Sequence, residues 1–262
     1  MLFRSLALDD ESPEVRAVAI RALWESEDPA LMAPFLSFMQ HDADPLVRAA
    51  AASALGRFVY LGELEEILEA QKERVESALL DVLHGDDELE VRRRALEALA
   101  FSSRPAVAEL ISEAYESDEA KMRVSAVFAM GRSTDDVWEP QVRAELDSPE
   151  PEMRFEAARA AGELEAVDAG PRLAELTSDP DPQVSEAAIW SLGQLGGDFA
   201  RETLTQLLEQ AVDEDTHDFI AEALENLDYT DEVQAFSMLD IEPGEDGDLD
   251  WDEDDSDEDE PE

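Results

Sequence analysis

Pro45 to Gly56 reads PLVRAAAASALG, and its pattern returns along most of the 262-residue chain. With Arg48 as position zero, a buried-type residue precedes it, Ala follows at plus three, aliphatic residues usually stand at plus four and plus seven, and Gly often at plus eight. Seven copies align, with zero positions Arg16, Arg48, Arg92, Arg123, Arg154, Ser185 and Ile220. Their spacings are 32, 44, 31, 31, 31 and 35 residues. A unit this short cannot bury its apolar face alone, so the repetition predicts helix pairs stacked in a solenoid.

The starts of these helices carry a consistent signal. Ser12-Pro13, Asp44-Pro45, Glu150-Pro151 and Asp181-Pro182 put a polar residue near the N-cap and Pro at the first helical position, where its missing N–H costs no bond. Six residues before position zero stand Asp10, Asp42, Asp86, Ser117, Ser148 and Asp179. Stacking brings such groups close to the arginines of neighbouring repeats, and a guanidinium fork pairs well with a carboxylate. Arg16, Arg48, Arg92, Arg123 and Arg154 therefore read as a structural ladder between repeats.

The stretches DPLVRAAAASALGRF and DPDPQVSEAAIWSLGQLG resemble HEAT repeats of the phycobilisome-lyase type, and the likeness covers roughly residues 1–228. It implies an all-α, right-handed superhelix of about seven helix pairs, with the PLVR-type helices on the concave side. The outer helices are expected near 29–40, 75–84, 105–116, 136–147, 168–177 and 198–212, and the recurrent Gly is expected to close each inner helix. The family includes scaffolds, lyase subunits and a few enzymes, so the resemblance speaks for fold more than for function. The boundaries expected are a solenoid over 1–230 and an acidic, largely disordered tail over 231–262. From Asp240 on, the chain has too little apolar content and too much charge to fold. Within it Leu249 and Trp251 form a candidate recognition element. The 44-residue spacing holds an insertion, LGELEEILEAQKE, whose composition predicts an added helical segment over 61–73.

The formal charge is −49, and residues 240–262 hold 15 acids and no base, which leaves −34 on the rest. Such a field disfavours nucleic acid and anionic membranes and attracts basic partners. It also suits a protein made soluble for a salty cytoplasm. Cysteine is absent, and neither a signal-peptide core nor a membrane-spanning apolar run is present, so a soluble, cytoplasmic protein is expected.

Signals of catalysis are poor. His41, His84 and His217 are scattered, and none forms the His-Glu pair of the di-iron HEAT enzymes. There is no glycine-rich phosphate loop and no nucleophile elbow. No catalytic residue, metal ligand or cofactor is assigned.

Binding signals come from reading the repeats by column. Plus three is Ala throughout, from Ala19 to Ala223, which marks a packed face. Columns plus one and plus five lie one turn apart on the opposite face, expected to line the concave groove. There Phe128, Phe155 and Trp190 fall in three successive repeats, with Val124 beside them and Arg159 between them. Aromatic residues and Arg are enriched at interface hot spots. Arg93 and Arg94, next to Arg92, form the one dense basic cluster and are expected to face the groove, open to an acidic segment such as the tail. The sequence therefore points to a non-catalytic scaffold that grips a protein or peptide in the groove. An acidic carrier or mimic of little specificity, binding basic proteins through charge and tail, is the alternative, and a lyase-type subunit is the third reading. Oligomeric state is not legible.

Overall fold

The computed structural model describes residues 7–237. Among them are thirteen α-helices, joined by short turns and 3₁₀ segments, and no strand. In chain order they are α1 (Pro13–Arg21), α2 (Met32–His41), α3 (Pro45–Glu63), α4 (Glu69–Gly85), α5 (Leu89–Leu99), α6 (Pro105–Tyr115), α7 (Ala120–Arg132), α8 (Glu139–Glu145), α9 (Pro151–Glu163), α10 (Gly170–Leu176), α11 (Pro182–Leu195), α12 (Gly197–Gln210) and α13 (Glu214–Ser237). The odd-numbered helices carry the repeated pattern and form the inner layer. Six complete pairs run from α2/α3 to α12/α13, and α1 is the inner helix of the first unit.

Each inner helix packs along the next one, whereas outer helices touch their outer neighbours little. The array therefore bends with the inner layer on its concave side. The plus-three alanines explain the close packing: from Ala51 to Ala223 all six are fully buried. Plus eight completes it. A Cβ on Gly131 would lie 2.7 Å from the Ala160 Cα on α9, and one on Gly193 would lie 2.5 Å from the Ala223 carbonyl oxygen on α13. Only a hydrogen at these positions lets the helix backbones meet. These glycines sit inside the last helical turn rather than closing it. The left-handed positions that follow α7 and α9 belong to Thr134 (φ 49°) and Glu165 (φ 50°).

The helix starts form as their sequences direct. Ser12 Oγ, Asp44 Oδ1 and Asp181 Oδ1 accept from the amides of Val15, Leu46 and Gln183. Glu150 makes no such bond, and Pro151 alone marks that start. Two boundaries differ from expectation. The insertion makes no separate helix: it lengthens α3 to Glu63 and starts α4 at Glu69, with Glu65 in the left-handed region between them. At the far end, residue 230 falls inside α13. There Asp231 accepts from the Gly197 amide at 2.7 Å and from Arg201 at 2.7 Å, which holds this helix to α12. The region from 238 on, with Leu249 and Trp251, lies outside the described residues.

Candidate functional site: an arginine–aromatic groove

The repeats are tied along one edge by paired charges. Arg16 gives Nε and Nη2 to Asp42 at 2.9 and 2.8 Å, Arg48 to Asp86 at 2.8 and 3.0 Å, and Arg154 to Asp179 at 2.8 and 2.9 Å. In each case the carboxylate belongs to the next repeat. Each carboxylate also accepts the amide two residues on, from Asp44, Glu88 and Asp181. Burial works against ionisation of Asp42 and Asp86, but the guanidinium and amide bonds outweigh it. At Asp179 the bond to Arg154 dominates. All three carboxyls are thus held below the ordinary range. Arg92 and Arg123 keep only the bond that all five arginines make within their own turn, Nη1 to the carbonyl of Asp86 at 3.0 Å and of Ser117 at 2.7 Å, because the next repeat offers Ser117 or Ser148 in place of Asp.

On the concave face, arginines alternate with aromatic rings. The Arg57 guanidinium carbon lies 5.4 Å from the Tyr60 ring centre, and Tyr60 meets Phe101 edge-on at 5.7 Å. Arg132 lies over Phe101 and Phe128 at 5.8 and 5.5 Å, and Arg159 over Phe128 and Phe155 at 5.4 and 5.7 Å. The run crosses α3, then the turn that follows α5, then α7 and α9. Part of it walls a cleft of about 510 Å³ that also includes Trp24, Ser53 and Arg94. A second opening of about 480 Å³ shares Tyr60, Phe101 and Arg132 and reaches Glu63, Glu163 and Gln194. Trp24 is 59 % exposed at the rim.

Carboxylates balance the groove arginines. Arg57 pairs with Glu27, Arg132 with Glu163 at 3.3 Å, and Arg159 with both Glu156 and Glu163 at 3.2 Å. The Nε of Arg57 and of Arg132 is buried without an acceptor, so each guanidinium retains a donor. Burial, reinforced by the neighbouring Glu97 and Glu163 charges and opposed by Arg159 and Arg132, pushes the Glu156 carboxyl up to about 7. Burial also raises Glu163, against its two arginines.

The structure sorts the expected groove residues. Phe128, Phe155 and Arg159 come together in the arginine–aromatic run, with both rings half-buried. Trp190 is half-buried on α11 and lies outside the cleft. Val124, 7 % exposed, and Arg93, 6 % exposed, do not face the groove. In the first four repeats column plus one is covered, whereas Phe155 in the fifth stays at the groove. Arg93 reaches α7, where its Nε donates to Ser125 Oγ at 2.9 Å, and its Nη1 pairs with Glu90 at 2.8 Å. Arg94 does wall the cleft, but Glu90 and Glu97 hold it at 2.8 and 2.6 Å, so it is not an open receptor for an acidic segment. The groove is written instead in columns plus five and plus nine, the latter giving Arg57, Phe101, Arg132, Glu163 and Gln194. Column plus nine is also one turn from plus five, and reading it would have added Arg57, Phe101 and Arg132. Tyr60 is carried by the lengthened α3.

Fold and groove together define an α-solenoid with a continuous inner face. The HEAT-repeat family profile matches residues 2–76 and 139–228, and the chain belongs to that family. Among solved structures, the chain is similar to the complex of CpcE and CpcF of phycocyanin lyase from Nostoc sp. PCC7120, at 18 % identity and a TM-score of 0.52, over 86 % of this chain and 92 % of that one. It is also similar to YibA of E. coli (18 % identity, TM-score 0.49, 86 % and 93 % covered) and to human deoxyhypusine hydroxylase (17 %, 0.43, 87 % and 84 %). No curated protein sequence matches. At 18 % identity the likeness to the phycocyanin lyase complex shows the fold alone. No described helix is long and apolar enough to cross a membrane.

Proposed function

We propose that the protein is a non-catalytic interaction scaffold that holds a protein or peptide segment along its concave groove. The observation that carries this is the run of stacked arginines and rings from Arg57 to Phe155, open to solvent beside the exposed Trp24. Aromatic and Arg side chains give large contact area with several donors, and hot spots are built from them. The buried Nε groups of Arg57 and Arg132 are donors that a partner's carbonyl could satisfy once the guanidinium turns towards it. Selection of a displayed random-peptide library on the full chain tests the reading. Wild type should enrich a sequence family that a Trp24→Ala/Tyr60→Ala double variant does not; recovery of the same peptides by both would refute it. The acidic-carrier reading rests on the net charge of −49 and needs no groove. Salt separates the two, because long-range attraction is screened and an apolar, stacked contact is not.

A further inference from the structure

The three complete rungs of the edge ladder define the geometry that the two incomplete ones lack. In a complete rung, the carboxylate takes the fork of the preceding repeat's arginine; at Asp42 and Asp86 the same residue's carbonyl also accepts Nη1 of the arginine six residues on, whereas after Asp179 that position is Ser185. At Ser117 and Ser148 the carbonyl half is intact: Arg123 donates to Ser117 O at 2.7 Å and Arg154 to Ser148 O at 2.9 Å. The acid half is missing, and among the described residues no carboxylate pairs with Arg92 or Arg123. Ser117 therefore stands between Arg92 and Arg123, and Ser148 between Arg123 and Arg154, in the place where Asp42 stands between Arg16 and Arg48.

We propose that Ser117 and Ser148 are phosphoacceptors, and that a phosphoryl group on each completes the rung by taking the guanidinium fork of Arg92 or Arg123. In the transfer, serine Oγ attacks the γ-phosphorus of a nucleoside triphosphate. The new Oγ–P bond forms as the bond to the β-bridging oxygen breaks, the diphosphate leaves, and the hydroxyl proton passes to the kinase's base. A phosphoserine brings close to two negative charges and three acceptor oxygens to a position otherwise held by Asp. Both serines lie in turns between outer and inner helices and are half-exposed. Their surroundings, Glu116-Ser117-Asp118-Glu119 and Asp147-Ser148-Pro149-Glu150, are acidic, which repels free anions and favours covalent delivery by a kinase that reads acidic flanks. Ser256, within DDSDEDE, has acidic flanks of the same kind and serves as an internal control.

The test uses the full chain, magnesium ATP and an acidophilic serine kinase that labels Ser256, with sites read by peptide mass and stability by melting. Modification at Ser117 and Ser148 is expected, each raising Tm by about 2–4 °C. In Arg92→Gln the label at Ser117 should persist while its rise disappears. Ser117→Asp, which needs no kinase, should likewise raise Tm in wild type and not in Arg92→Gln. The proposal is overturned if Ser256 alone is labelled, if labelling leaves Tm unchanged or lowers it, or if the rise survives without Arg92.

Discussion

At Gly131 a single hydrogen sets the distance between two inner helices. A methyl there would sit 2.7 Å from a backbone carbon of α9, which no side-chain rotation relieves. Gly131→Ala should therefore destabilise by about 1–3 kcal/mol, the range of overpacking, although alanine is the better helix former. Glu156 shows the opposite economy, a residue kept at a cost. Its folded carboxyl holds a proton up to about pH 7, well above the 4.5 of a free glutamate. The folded state thus binds the extra proton between these values, and stability falls as the pH rises from 4.5 to 7. Glu156→Gln should raise stability at pH 8 by roughly 1–2 kcal/mol, less than the full shift because Arg159 loses a partner, and the gain should vanish below pH 4.5. Thermal melts across that range decide it. A carboxylate retained there, among Arg132, Arg159 and Glu163, is understandable if the groove has a use for it.

Between elements, the interface from one repeat to the next is the unit of stability, and the ladder is its charged component. Asp86→Asn keeps an acceptor for the Glu88 amide and removes only the charge facing Arg48. It should lower Tm at pH 7 by about 2–4 °C, on the order of 1 kcal/mol for a partly screened pair. Because the folded carboxyl is held below the ordinary value near 4, this contribution is complete above pH 4 and fades as the pH falls through the lower folded value, so wild type and variant should converge in acid. Much of this was legible in the sequence. The arginine column and the acids six residues earlier were visible as a pattern, as were the inner helices. The groove was not. In the first four repeats the packing hides column plus one, as Arg93 against Ser125 shows, and rotates the open face towards plus five and plus nine, while Phe155 in the fifth stays open. No single repeat reveals that rotation. The insertion misled in a similar way, since a helix-forming stretch between two helices can lengthen both instead of adding a third.

For the whole molecule, two properties compete to explain what it binds: a charge of −49 acting over distance, and a groove in which arginines, rings and glutamates are fixed in register. The acids are spread over the array, whereas nine arginines line its edge and its concave face; others on the outer helices, such as Arg143, Arg172 and Arg201, pair with nearby acids. An acidic protein that only repelled its neighbours would need no such gathering. The most direct measurement is equilibrium binding of a display-selected peptide to wild type and to Trp24→Ala/Tyr60→Ala, at about 50 mM and about 500 mM salt. Trp24 is 59 % and Tyr60 38 % exposed, so the melting temperature should fall only slightly. The groove account predicts that the variant binds at least about tenfold more weakly at both salt concentrations, the loss of one hot-spot contact. Equal affinity of variant and wild type, or wild-type binding that disappears at the higher salt, would contradict it.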